Sequence, residues 1–178
     1  ERMRHIDVVL FDKTGTLTTG EPVLANVAVA PGHDRASSLG VAAAAERDSE
    51  HPVARALVAA AARVGSPATV DVSEFESMTG IGVRARVDGA LVLVGGPQLL
   101  RRHGVSVPET VSDAAKEWAS AGSTVLYLVR NDMVVAAFEI RDRIRSDSHT
   151  TVAALRTRGI RVAIVTGETG RMYAPEVR

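Results

Sequence analysis

Residues 11–20 read Phe-Asp-Lys-Thr-Gly-Thr-Leu-Thr-Thr-Gly, and Asp12 directly follows an apolar run, Ile6 to Phe11, broken only at Asp7. A carboxylate at the carboxyl end of a buried strand lies where open α/β sheets hold their ligands. There it can attack a phosphorus atom, while backbone N–H groups of a Gly-containing loop and Thr hydroxyls hold the transferred phosphoryl oxygens. Asp12 is therefore a candidate nucleophile. For a lone Asp after a strand, the competing reading is a turn or helix-cap residue. The basic residues are nearly all arginine, and only Lys13 and Lys116 are lysine, so a lysine beside Asp12 points weakly to a specific need.

The elements that must position this string can be read from periodicity. The opening run, 6–11, is continuously apolar except at Asp7, as expected of a strand covered on both faces in a parallel sheet. Near the far end, Val134 to Ile140 (VVAAFEI) reads as a strand. Ser146 or Asp147 can cap a helix through about Arg158, Gly159 can stop it, and 160–165 (IRVAIV) reads as a buried strand ending in Thr166-Gly167. This predicts a βαβ unit with a right-handed crossover. Between the ends the texture changes. Residues 36–47 and 52–63 are Ala-rich helical runs, the second started by Pro52 at its first position. The alternation of VRARV and ALVLV around Asp88-Gly89 predicts a β-hairpin. A helix over about 110–121 and a strand over 124–130 follow. A mixed α+β domain is thus expected inside a Rossmann-like one, with Pro22 and the Asn131-Asp132 turn as the crossing points.

Composition narrows the partners. The formal net charge is zero, with 21 basic and 21 acidic residues spread along the chain, so no basic stripe points to nucleic acid and no polybasic block to a lipid surface. Cysteine is absent, which excludes disulfides and thiolate metal ligands within this stretch. No run approaches the roughly 20 apolar residues of a membrane span. The first residue is Glu1, and Gly170 to Arg178 is a charged, irregular tail. The chain reads as a soluble piece of something longer.

The whole string Asp12-Lys13-Thr14-Gly15-Thr16-Leu17-Thr18 resembles the phosphorylation motif of the P-type ATPases, pumps of the haloacid-dehalogenase-like fold that form an aspartyl-phosphate from ATP. The resemblance implies that Asp12 is phosphorylated, that Lys13 and Thr14 belong to the catalytic loop, and that Thr14 contacts the γ-phosphate. In related phosphatases the second residue after the nucleophile is an acid; Thr14 cannot serve as a general acid near neutral pH, which favours a phosphoenzyme that waits for a conformational step. Ser49-Glu50-His51-Pro52 is similar to the SEHP motif of the heavy-metal (type IB) branch, and Glu46 matches a glutamate of its nucleotide-binding domain. An imidazole at a helix start can stack on or bond adenine, and a carboxylate one turn away can accept from its exocyclic amine. A solvent-exposed His before a helix-start Pro is the bland alternative. Gly80-Ile81-Gly82 and Gly95 match glycines of that branch that let backbone approach the base without a Cβ in the way; structurally they could equally mark bulges. Asp142 falls where the family has a hinge aspartate, and a helix-cap aspartate is its alternative.

The departures also matter. Gly96 stands where an asparagine is common. Thr166-Gly167 resembles the family's TGD, with Glu168 in third place. The lysine and the GDGxNDxP element that complete the Mg²⁺ site do not follow, which leaves Asp12, with Thr14, as the identifiable metal position. The resemblance therefore implies an incomplete haloacid-dehalogenase-like phosphorylation domain (1–20 and 132–178) with an inserted α+β nucleotide-binding domain (21–131). ATP and Mg²⁺ are the implied cofactors. The implied partners are a heavy-metal cation, copper(I) first and zinc or cadmium next, and transmembrane and actuator domains of a longer pump, at the cytoplasmic face of a membrane. A soluble phosphatase of the same fold and a non-catalytic nucleotide-binding module are the rivals.

Overall fold

The structure, a computed structural model, describes residues 6–65, 71–165 and 172–173. Strand β1 (Val8–Asp12) runs into a wide helical turn (Lys13–Leu17) and then the long strand β2 (Thr18–Val29). Helices α1 (Arg35–Glu46) and α2 (Pro52–Arg63) follow, then strands β3 (Val72–Met78), β4 (Gly82–Val87) and β5 (Ala90–Gly95). Helices α3 (Pro97–His103) and α4 (Glu109–Ser120) precede the pair β6 (Thr124–Arg130) and β7 (Met133–Ile144). The last elements are α5 (Ser148–Thr157), β8 (Arg161–Val165) and the short β9 (Met172–Tyr173). The chain divides into two compact units, one formed by its two ends, up to Glu21 and from Asp142, the other by Pro22–Arg141.

In the first unit β1 and β8 pair in parallel, Val8 opposite Arg161 through Asp12 opposite Val165, with β9 antiparallel on the far side of β8. The parallel pairing expected of 6–11 and 160–165 is thus present. The double cover expected of β1 is not: Ile6, Val8 and Leu10 are all exposed, Leu10 by 59%. Among the described residues one side of this strand has no packing layer.

The second unit is built on a six-stranded sheet in the order β2-β7-β6-β5-β4-β3. Asp88 and Gly89 both take left-handed backbone (φ 49° and 75°), as a two-residue hairpin turn between β4 and β5 requires. Asn131 and Asp132 do the same (φ 49° and 62°) and pair β6 with β7 antiparallel, Arg130 opposite Met133. This corrects two expectations. VVAAFEI is not the first strand of a parallel βαβ unit, and Asn131-Asp132 is a hairpin turn rather than a crossing point; the compact unit extends to Arg141, beyond the expected boundary at 131. The reason is that β7 is covered on both faces. Ala136, Phe138 and Ile140 join α1, α2 and β4 in one core, whereas Val134 and Ala137 join α3, α4 and β6 in the other. Burial on two sides produces a continuous apolar run whatever the strand's direction.

α1 and α2 rest on one face and α3 and α4 on the other. Fully burying a residue such as Phe138 or Leu57 contributes about 2–3 kcal/mol. Beyond the second helical layer β4 alternates: Val83, Ala85 and Val87 face the core, while Arg84 and Arg86 pair with Glu76 and Glu74 of the edge strand β3. β2 is the other edge, which is why Pro22 can sit inside it. β2, β3 and α3 were not foreseen from the sequence.

Candidate functional site

Parallel pairing with β8 ends β1 on Asp12, whose side chain is exposed. The chain then opens into the wide turn, with Gly15 in left-handed backbone (φ 79°). That turn is held from its far end. The Gly15 N–H donates to Thr18 Oγ1 (3.2 Å), and the Thr18 hydroxyl donates to Asp142 Oδ2 (3.0 Å). The Leu17 carbonyl accepts from Arg145 N–H (3.0 Å) and from the Ser148 hydroxyl (2.8 Å). Thr18 is only 3% exposed, so its hydroxyl belongs to the scaffold rather than to a ligand. Asp142 serves that scaffold: it is neither a helix cap nor solvent-facing decoration. The arrangement leaves one carboxylate reachable at a strand end, before a turn whose backbone is fixed by donor-acceptor chains.

The side chains of Lys13 and Thr14, and Thr166, Gly167 and Glu168 altogether, lie outside the described residues. Among the described residues no group of three His, Cys, Asp or Glu could hold a metal ion. They do not by themselves make a Mg²⁺ site around Asp12.

The second set of candidates lies in the second unit, at the turn from α1 to α2. Asp34 caps α1, accepting from Ser37 N–H (2.8 Å), and Ala-rich sequence carries the helix to Glu46. Glu46 is 6% exposed. Burial pushes its carboxyl up to about 7, against a smaller opposing effect of a hydrogen bond from the Ser49 side chain. His51 is the N-cap of α2: its Nδ1 accepts from Val53 N–H (3.2 Å), with Pro52 at the first helical position. An imidazole that accepts at Nδ1 carries its proton at Nε2. His51 is exposed, so its ring presents a face and an Nε2–H donor to solvent. Arg55 Nη1 donates to the Glu50 carbonyl (2.8 Å), which closes the turn from the other side. A cavity of about 240 Å³ beside it is lined by Glu46, Ser49, Arg47, Arg55 and Val58, with Ala59 and Ala62.

The glycines have a structural role of their own. Gly82 and Gly95 are cross-strand partners, and a Cβ on Gly82 would fall 2.0 Å from the Val94 carbonyl oxygen. A Cβ on Gly95 would fall 2.2 Å from that of Ile81. Both residues are therefore required for β4 and β5 to approach, whatever else they do. Gly80 has open space around it but a left-handed backbone (φ 71°), in a turn closed by Ile81 N–H on the Met78 carbonyl (2.9 Å). His51 and these three glycines do not line the cavity beside Glu46.

Sequence reasoning missed Glu139. It is fully buried in β7 and accepts from Asn26 Nδ2 (2.6 Å), the Ser123 hydroxyl (2.6 Å) and Arg141 Nε (2.7 Å). Burial alone would raise its carboxyl; the bonds from Ser123, Asn26 and Arg141, with the Arg141 charge, hold it below the usual range. The only available signal was an acid inside an otherwise apolar run.

The family model described as haloacid dehalogenase-like hydrolase matches residues 6–177. Over 172 residues the chain is 38% identical to the cation-transporting P-type ATPase B of Mycobacterium tuberculosis, covering 94% of this chain and 22% of that protein. It is 36% identical to a copper-transporting P-type ATPase of Rhizobium leguminosarum bv. viciae, covering 96% and 20%. The chain thus spans about a fifth of the length of these relatives. Among solved structures, a zinc-transporting PIB-type ATPase in the E2.Pi state superposes with a TM-score of 0.72 at 32% identity, over 93% of this chain and 26% of the other. The isolated N-domain of HMA6, a copper-transporting P-type ATPase, matches 68% of this chain over 99% of its own length, with a TM-score of 0.56 at 28% identity. No described helix is long and apolar enough to cross a membrane. The chain belongs to the haloacid dehalogenase-like hydrolase family, and within it corresponds to the nucleotide-binding and phosphorylation region of the heavy-metal PIB-type P-type ATPases.

Proposed function

We propose that ATP bound by the Pro22–Arg141 unit donates its γ-phosphoryl group to Asp12, and that the aspartyl-phosphate drives a heavy-metal cation across a membrane in the whole pump. An Asp12 carboxylate oxygen attacks the γ-phosphorus, the bond to the β-phosphate oxygen breaks, and ADP leaves. Lys13, Thr14, Thr166 and Gly167 hold the phosphoryl oxygens in this reading. Glu46, His51 and the Gly80, Gly82 and Gly95 backbone receive adenine. Asp12 and Thr14 would hold the Mg²⁺ that accompanies the triphosphate, which would neutralise part of the phosphate charge. Copper(I) is the first cation to test and zinc the second, since copper-transporting and zinc-transporting proteins both stand among the relatives. The region works at the cytoplasmic face, beside transmembrane and actuator domains of the pump.

The observation that supports this most is the exposed Asp12 at the carboxyl end of a parallel strand, followed by a turn locked through Thr18 and Asp142. Membranes bearing the full-length pump should incorporate acid-stable label from γ-labelled ATP, and peptide mapping should place it on Asp12. Label on another residue would sink the assignment.

A further inference from the structure

The chain joins its two units at two places, within β2 between Glu21 and Pro22 and within β7 between Arg141 and Asp142. At the second, consecutive side chains are fastened in opposite directions. Asp142 accepts from the Thr18 hydroxyl (3.0 Å), on the turn that follows Asp12. Arg141 Nε donates to Glu139 Oε1 (2.7 Å), back inside the second unit. Glu139 is tied in turn to two other elements. Its Oε1 also accepts from the Ser123 hydroxyl, between α4 and β6, and its Oε2 from Asn26 Nδ2 of β2 (each 2.6 Å). One carboxyl thus fastens the last residue of the second unit to the strand that enters that unit and to the segment that leaves α4.

Packing alone does not call for a charge here. Val125, opposite Glu139 on β6, and Ala137, two residues before it, are both buried in the core of α3 and α4. An apolar side chain of similar volume would fill the position without desolvating a carboxylate. What the carboxylate adds is direction, because three donors must converge on its two oxygens. Pro22 restricts the first crossing by other means: its ring fixes its own φ and disfavours helical backbone at Glu21. We infer that Glu139 is a positioning residue for phosphoryl transfer: by fastening Arg141 it leaves the link from Arg141 to Asp142 as the pivot of the second crossing, so that the second unit presents its nucleotide to Asp12 through a restricted set of orientations. This rests on the reading that ATP held by the second unit phosphorylates Asp12.

A residue that only supports the fold and one that sets this path differ in the step they slow. The test uses membranes bearing the full-length pump: equilibrium ATP binding, and rapid-quench measurement of acid-stable label at saturating γ-labelled ATP. Glu139→Leu should leave ATP affinity within about twofold of wild type and slow labelling about 10-fold or more, because misplacement far from the reacting atoms costs rate rather than binding. Glu139→Gln should recover most of the rate. Its Oε1 can still accept from Ser123 and Arg141, and Asn26 can turn its amide over to accept from the new NH₂. Arg141→Leu, at a half-exposed side chain, should slow labelling as Glu139→Leu does, and it decides the matter if Glu139→Leu fails to fold. The double variant should be no slower than either single one. A wild-type labelling rate in Glu139→Leu or, failing that, in Arg141→Leu would overturn the proposal. So would additive slowing in the double variant, or an ATP affinity that falls in step with the rate, the mark of a general loss of fold. If the wild-type pump carries no label on Asp12, the transfer reading itself fails; if the label is on Asp12 and these variants leave its rate unchanged, only the role of Glu139 fails.

Discussion

The turn after Asp12 and the turn between α1 and α2 use the same device for opposite ends. Each has a hydroxyl that accepts from a nearby backbone N–H, Thr18 from Gly15 and Ser49 from His51, and the Thr18 hydroxyl also donates to Asp142. In the first the bonded carboxylate belongs to the scaffold, and the candidate reactive one, Asp12, stands exposed at the strand end. In the second the carboxylate, Glu46, is itself the candidate contact, and it is buried. The contrast suits the two tasks. A nucleophile must be reached by a charged phosphoryl group and its metal, whereas a group that reads the neutral edge of a base gains selectivity from being dry and held.

The largest expected effect lies in the second unit, where β4 and β5 pair. Gly82→Val places side-chain atoms where a Cβ is already 2.0 Å from the Val94 carbonyl. The loss should be about 3 kcal/mol or more, read by chemical denaturation, with the six-stranded sheet opening at β4 and β5. A variant of wild-type stability would mean that the close approach is not required.

Glu46→Gln comes next, and it has a sign. A carboxyl raised from 4.5 to about 7 keeps its proton in the folded chain where the unfolded chain has lost it. Folding stability should then fall as pH rises from about 4.5 to 7 and level off above, a total of about 3 kcal/mol. The amide carries no such cost. At pH 8 Glu46→Gln should be more stable than wild type by up to that amount, and its stability should be flatter between those pH values. A destabilised Gln variant at pH 8 would show that the ionised carboxylate is well paired, and the contrast between the two turns would be lost.

Thr18→Val removes the hydroxyl from the other turn and leaves the Gly15 N–H and Asp142 in need of partners. We expect about 2 kcal/mol of lost stability and faster amide exchange at Gly15. Exchange unchanged at Gly15 would mean that the bond through Thr18 does not hold the turn.

The smallest expected effect separates two roles of one ring. His51→Ala removes both the cap and the ring, and should cost about 1 kcal/mol of stability as well as ATP affinity. His51→Asn keeps a capping side chain and should recover stability but not affinity. If Asn recovers both, the ring matters only as a cap.

Legibility in the sequence followed how local each cause was. The Asp88-Gly89 hairpin and the Pro52 helix start depend on neighbouring residues and could be read directly. Asn131-Asp132 has the same left-handed geometry, but the apolar run behind it carries no mark of strand direction, so β7 was assigned to the wrong sheet. The string around Asp12 and the glycines could be found by resemblance; that Gly82 and Gly95 face each other depends on the strand register. Thr18 with Asp142, and Glu139 with Asn26, join residues 124 and 113 positions apart, and no local pattern announces such pairs. The motif around His51 could be found by resemblance, whereas the burial of Glu46 depends on how α1 packs on the sheet.

The claim at the centre of this account is that base recognition and phosphoryl acceptance are carried by different units. Asp12→Asn in the full-length pump tests it most directly, with ATP affinity and acid-stable label measured on the same preparation. The account predicts ATP binding no weaker than wild type together with complete loss of label. Retained label, or affinity reduced more than about tenfold, would contradict it.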